Sequence, residues 1–184
     1  MKKTIIVSGM AGSGKSTLAG LIAKKYKLEL FVAGDKLKEM ISKEPDYMGF
    51  WGTKKGIEAM PKRIANPEFD KKFDSILIKR AKKGNVVFTS WTLPWVFKDS
   101  FKIWLSASAK KRAERLSKRD RISLKSAEAI VKKRDMYNKK IFKKIYNFDF
   151  GNDLSPFDLI INTDIYTIAE IFEICKKAIE KYFK

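Results

Sequence analysis

The stretch Thr4-Ile-Ile-Val-Ser-Gly-Met-Ala-Gly-Ser-Gly-Lys-Ser-Thr17 frames everything that follows it. Thr4 to Ser8 is a short, nearly continuous apolar run, as expected of a strand covered on both faces. It runs straight into Gly9-x-x-x-x-Gly14-Lys15-Ser16, which fits the P-loop pattern. Its glycines let the backbone curl so that successive N–H groups point inward as an anion nest, and the helix that follows adds its positive N-terminal end. The expected triphosphate contacts are therefore Gly9, Met10, Ala11, Gly12, Ser13, Gly14, Lys15, Ser16 and Thr17. Lys15 can reach the β- and γ-phosphates as a point charge, and Ser16 can offer its hydroxyl to Mg²⁺. The motif specifies ATP or another nucleoside triphosphate, but no second substrate.

Outward from this loop the chain alternates apolar runs with helical periods. Leu18, Leu21, Ile22 and Tyr26 mark the first helix, and Leu28–Ala33 reads as a second strand. Gly34 opens a helix with Leu37, Met40 and Ile41 on one face. Residues 44–66, dense in Gly and Pro, are expected to be irregular, and 70–83 helical with Gly84 as its stop. Further strands are expected at Val86–Phe88, Phe101–Leu105 and Phe157–Ile161, with helices over about 108–118, 123–148 and 168–183. Strands that alternate with helices imply right-handed crossovers, a five-stranded parallel sheet and an α/β three-layer domain.

Composition narrows the chemistry. The 184 residues include 40 Lys or Arg against 21 Asp or Glu, no His and one Cys, for a net charge of +19. Imidazole general-base mechanisms are excluded, as are internal disulfides; Cys175, beside Ile171, Phe172 and Ile179 at helical spacing, reads as core. No apolar run approaches the ~18 residues of a membrane helix, so a cytoplasmic monomer without membrane contact is expected. The charge is concentrated: residues 54–83 carry ten basic and four acidic side chains, and residues 110–144 carry fifteen and four. Such an excess asks for a polyanionic partner, either nucleotide phosphates or nucleic acid.

The Ser8–Thr17 loop, Ala33-Gly34-Asp35, Asn66-Pro-Glu-Phe-Asp70, Arg112-Ala-Glu-Arg-Leu116, Arg119, Arg134-Asp135 and Phe157–Thr163 together resemble the nucleoside monophosphate kinases, closest to the archaeal type of cytidylate kinase. The resemblance covers nearly the whole chain. It implies one P-loop kinase domain over 1–184, with a core of 1–34, 84–109 and 149–184, an acceptor-binding insert at 35–83, and a lid with flanking helices at 110–148. It also implies transfer of the γ-phosphoryl of ATP, with Mg²⁺, to a nucleoside monophosphate. Lys15, Arg115, Arg119 and Arg134 would carry catalysis, the arginines because a planar fork grips phosphate oxygens bidentately. Asp35 would orient a metal-bound water or the acceptor sugar, or simply cap a helix. Cytidylate kinases usually follow strand three with acidic-Gly-Arg, where this chain has Thr89-Ser90-Trp91. Lys38 stands where an Arg is expected, and Asn138 and Ile141 where an acid and a second Arg are expected. Lys54, Lys55, Lys62 and Arg63 are the insert cations able to replace the missing Arg, and the acceptor contacts expected are Asp35, Lys38, Arg63, Trp91 and Asn138. Aromatics in Tyr47–Trp51 and Trp91–Trp95 either stack on a base or pack the insert; Trp104 reads as core. The surplus of Lys over kinase needs supports a second reading, a P-loop kinase or ATPase that acts on or binds RNA; a third is a nucleotide-binding protein without turnover.

Overall fold

A computed structural model describes residues 2–42 and 50–184, with Lys54 described by its backbone alone. Tyr47 and the first part of the expected irregular stretch lie outside the described residues. Strand β1 (Thr4–Gly9) is buried along its whole length and leads through the P-loop into α1 (Lys15–Tyr26). There follow β2 (Glu29–Val32), α2 (Ala33–Ile41), a single 3₁₀ turn at Phe50–Gly52, α3 (Lys54–Ala65) and α4 (Pro67–Ala81). Then come β3 (Val86–Thr89), a short α5 (Leu93–Val96) and β4 (Phe101–Ser106). Helices α6 (Ala109–Asp120) and α7 (Leu124–Tyr146) form a hairpin before β5 (Leu159–Asn162) and α8 (Ile168–Tyr182) close the chain. The sheet order is β2-β3-β1-β4-β5 with parallel pairing throughout.

Period-two alternation along β1 divides the core. Ile5 and Val7 face Leu18, Ile22, Ile171 and Cys175, so α1 and α8 cover that side. Ile6 faces Leu37, Phe73, Leu77 and Leu93, from α2, α4 and α5. Cys175 is fully buried, and burial pushes its thiol up to about 12, in keeping with a core role. Trp104 is likewise core, in an aromatic cluster with Phe142, Phe148 and Phe150.

One expectation is corrected: the stretch expected to be irregular contains α3, twelve residues long with Pro61 inside it. Interior proline costs a helix about 3 kcal/mol, but α3 buries Ala59, Met60 and Arg63, and Met60 packs into the Phe142 cluster of α7. Thr53 caps its start by accepting from the Gly56 N–H at 3.2 Å. Gly56 is not a breaker here; a Cβ on it would stand 2.2 Å from the Phe50 carbonyl oxygen, so the glycine admits the 3₁₀ turn against the helix.

Candidate functional site

All five strands point their carboxyl ends at one crevice, where α/β sheets bind ligands. The P-loop follows β1 and Asp35 follows β2. Ser90 and Trp91 follow β3, the Arg115 helix follows β4 and Thr163 follows β5. Among the described residues the crevice opens into a cavity of about 440 Å³ that is lined both by the P-loop and by α3, α4, α6 and α7.

The loop adopts its shape through three left-handed or glycine-favouring turns, at Gly9 (φ +146°), Gly12 (φ +82°) and Gly14 (φ +95°). Gly12 also allows close approach, because a Cβ there would lie 2.7 Å from the Arg112 carbonyl oxygen of α6. Lys15 donates from Nζ to the Met10 carbonyl at 2.8 Å, folding back over its own loop. Burial, then the charges of Arg134, Arg112 and Arg119, lower its pKa to about 7, with Asp135 opposing them. Arg112 fastens this assembly. It donates to the Ala11 carbonyl at 3.2 Å and forks onto Asp135 at 3.0 and 2.6 Å, tying the loop to α6 and α7.

The three arginines expected to act in phosphoryl transfer all line the cavity. Arg115 donates to the Thr163 hydroxyl at 2.8 Å and carbonyl at 2.6 Å, and Arg119 is forked onto the adjacent Asp120. Arg134 is 8% exposed and its Nε has no hydrogen-bond partner. Burial, then Arg119, lower its pKa to about 10. Trp91 lies between these cations. Its ring centroid is 5.7 Å from Lys15 Nζ and 5.6 Å from Arg134 Cζ, and its indole N–H donates to the Gly9 carbonyl at 3.0 Å. An aromatic face at such distances attracts cations. A cluster of four cations, Lys15, Arg112, Arg119 and Arg134, against two carboxylates, Asp135 on Arg112 and Asp120 on Arg119, is a site short of anionic charge.

The wall of the cavity built by α3 and α4 is organised around two carboxylates that sequence reasoning missed. Arg63 of α3 forks onto Asp70 of α4, with Nε 3.2 Å from both oxygens and Nη2 donating to the same group; both residues are almost fully buried. One turn on, Asp74 accepts from the Thr92 hydroxyl at 2.5 Å and from the Tyr146 hydroxyl. Burial, partly offset by those donors and reinforced by Asp70, raises Asp74 to about 6. The signal was present in the sequence: Asp70 and Asp74 share a helical face with Phe73 and Leu77, so acids sit on an apolar stripe.

Other expected contacts fall in different places. Asp35 lines the cavity from the first turn of α2, whose N-cap is Val32, so the capping alternative for Asp35 does not hold. Lys38 and Asn138 are buried but do not line the cavity; the Asn138 Oδ1 has no hydrogen-bond partner. Of the insert cations, Arg63 reaches the cavity, Lys55 and Lys62 stand on the exposed side of α3, and the Lys54 side chain lies outside the described residues. Trp51 and Trp91 line the cavity, whereas Trp95 stacks on Phe148 at 4.0 Å and donates to Asp153 at 3.1 Å, a packing role.

Ser16 opens onto the cavity, as does Asp35. No group of three or more His, Cys, Asp or Glu able to hold a metal exists among the described residues. This donor set suits Mg²⁺, which keeps several waters and takes most of its protein-independent ligands from substrate phosphates. No described helix is long and apolar enough to cross a membrane.

Comparison with known proteins agrees with this geometry. A profile of the cytidylate kinase-like family matches residues 4–165. Cytidylate kinase from Pyrococcus horikoshii is 38% identical over 97% of this chain and 89% of its own length. That from Methanocaldococcus jannaschii is 34% identical over 98% and 99%. Among solved structures, shikimate kinase from Bacteroides thetaiotaomicron superposes with a TM-score of 0.61 at 16% identity, over 98% of this chain and 99% of that one. A deoxyadenosine kinase from M. mycoides gives 0.57 at 18%, over 95% and 98%. These two establish likeness of fold.

Proposed function

The chain belongs to the cytidylate kinase-like family, and on that premise we propose that it moves the γ-phosphoryl group of ATP to a nucleoside monophosphate, with CMP as the acceptor. One observation carries the proposal: a single cavity is lined by the P-loop lysine, by three arginines from two helices, and by a separate buried Arg–Asp pair. Donor and acceptor ends thus face each other across the cations.

The chemistry asks for alignment and charge neutralisation more than for covalent steps. The P-loop N–H groups cradle the β- and γ-phosphates, and Lys15 leaves the Met10 carbonyl to contact them. The Ser16 hydroxyl, together with phosphate oxygens, would hold Mg²⁺, with Asp35 as an acceptor for its waters, and the ion would supply charge withdrawal from the phosphates. Arg119 and Arg134 meet the equatorial oxygens of the moving group. In a water-excluded site each such donor is worth about 3 kcal/mol in the transition state. Burial first, and neighbouring cations second, depress the pKa values of Lys15 and Arg134, and bound phosphates would supply the charge and the acceptor that the unpaired Nε of Arg134 lacks. At the acceptor end, the pairing edge of cytosine offers an amino donor beside ring and carbonyl acceptors. Asp70 accepts from the amine and Arg63 donates to the acceptors, each trading half of their mutual fork for the base. Trp51 and Phe73 flank the same space.

The test is turnover. With ATP and Mg²⁺, a panel of CMP, dCMP, UMP and AMP should give acceptor-dependent ADP formation fastest with a cytidine nucleotide. Equal rates with all four would remove the assignment of Arg63 and Asp70 as base readers.

A further inference from the structure

Phosphoryl transfer uses only part of the positive charge that stands out in the sequence. Of the fifteen basic residues in 110–144, four arginines are engaged at the cavity or directly behind its P-loop wall. Arg112 is forked onto Asp135, Arg115 is bound to Thr163, and Arg119 and Arg134 line the cavity wall. Lys111 pairs with Glu114 at 3.5 Å, Lys143 pairs with Asp149 at 3.4 Å, and Lys144 donates to the Ile64 carbonyl. Of the other eight, Lys110 and Lys118 stand on α6 and Arg121 caps its end, which leaves Lys125, Lys132, Lys133, Lys139 and Lys140. All five are exposed on α7, and among the described residues none has an acidic partner.

Their placement is ordered. Lys125, Lys132 and Lys139 recur every seven residues, with Lys133 and Lys140 alongside. Seven residues are two helical turns, so the positive groups repeat about every 10.5 Å along one side of the rod. At about 100° per residue, Lys132 and Lys139 lie about 160° and 140° around the helix from Arg134. The same helix therefore presents a catalytic cation to the cavity and a lysine stripe to solvent. It carries two acids, Glu128 and Asp135, and Asp135 is already committed to Arg112.

We infer that this outer face of α7 is a docking surface for the phosphodiester backbone of a nucleic acid strand. A repeated array of lysines is suited to a repeated array of phosphates, because an ammonium group binds phosphate as a point charge and needs no fixed orientation. A lipid surface fits less well. An interfacial helix must also offer an apolar face, and Ala127, Val131, Ile141 and Phe142 of α7 are buried inside the protein. The stripe lacks exposed aromatic side chains to stack on bases, so recognition is by charge and independent of sequence.

The test uses the full chain and a fluorescent 20-nucleotide RNA, with a DNA strand of the same length and poly-glutamate as further arms. Five released counterions on a single strand give a slope of about −3.5 in log K against log salt, or about a 100-fold loss between 50 and 200 mM. Lys→Gln at 132, 133, 139 and 140 together should cut the slope to about −1 and weaken binding more than tenfold at 50 mM. Lys→Arg at the same four positions should preserve both. Kinase turnover of either variant should match the parent, because none of the four lines the cavity, and this also shows that the variants are folded. Saturating ATP with Mg²⁺ should leave RNA binding unchanged. DNA bound as tightly as RNA supports a backbone site, and RNA bound more tightly supports one that also reads the 2′-hydroxyl. A slope shallower than −1 in the parent, parent-like binding by the Gln variant, competition by ATP, or poly-glutamate binding within threefold of RNA would each overturn the inference.

Discussion

Asp135→Asn tests the cation cluster at the carboxylate that ties Arg112 to α7. Asp135 holds Arg112 through two charge-assisted bonds, and Arg112 in turn braces the P-loop through the Ala11 carbonyl. The Arg112 side chain is 5% exposed and that of Asp135 19%. Removing one partner of a fully buried pair costs about 3–5 kcal/mol because the other charge is left uncompensated. Partial solvent access to Asp135 lowers the expectation to about 2–3 kcal/mol, since water screens part of the loss. Four cations then share the site with Asp120, on Arg119, as the remaining paired carboxylate. For a chain of this length each kcal/mol shifts Tm by about 2–4 °C, so a fall of about 5–10 °C is expected in ligand-free protein by calorimetry or circular dichroism. Anions supply the counterpoint. ATP with Mg²⁺, or sulfate alone, should restore more of the variant's lost stability than they add to the parent, because they return the missing negative charge. A Tm within 1 °C of the parent, or an equal response to anions in both proteins, would refute the view that the cluster is short of negative charge.

The other expectations concern the acceptor end and the core. Arg63→Met with Asp70→Leu should leave Tm within a few degrees, because an apolar pair of similar volume replaces a buried ion pair at little cost. The same change should raise KM for the acceptor at least tenfold while KM for ATP holds; unchanged acceptor KM would clear both residues of base recognition. Asp74 has a folded pKa near 6, above its unfolded value, so the native state binds the extra proton between about pH 4 and 6. Its contribution to stability is therefore lost as pH rises through that window, by about 2–3 kcal/mol. Subtracting the pH–stability profile of Asp74→Asn from that of the parent should expose this slope, and a flat difference would contradict it. Cys175 should resist thiol reagents in the folded protein and react fully once denaturant unfolds it; rapid labelling of native protein would place it outside the core.

How far the chain could be read in advance follows from how local each signal is. The β1–loop–α1 unit is legible because strand, nest and helix are contiguous and each glycine has a local backbone reason. The central strands β1, β3 and β4 are legible because parallel strands buried on both faces are nearly continuous apolar runs, and the more exposed edge strands β2 and β5 through shorter apolar runs. Helix α3 was not, since Gly56 and Pro61 are local breakers and only packing of Met60 and Arg63 against distant α4 and α7 overrides them. The acceptor side was half legible. Arg63 and Trp91 could be named from missing family residues, but Asp70, Asp74, Thr92 and Tyr146 meet through tertiary contacts spanning up to 72 residues. Asn138, named by its place in a family pattern, is buried and is not among the residues that line the cavity.

Product stoichiometry bears most directly on the central claim, that one cavity passes a phosphoryl group from ATP to a nucleoside monophosphate. Chromatographic separation of the products formed from ATP, Mg²⁺ and CMP should show CDP and ADP rising in equal amounts. Lys15→Ala should reduce the rate at least 100-fold, the scale of losing one charge-stabilising donor. ADP accompanied by free phosphate and no CDP, or no turnover with any monophosphate tested, would contradict it.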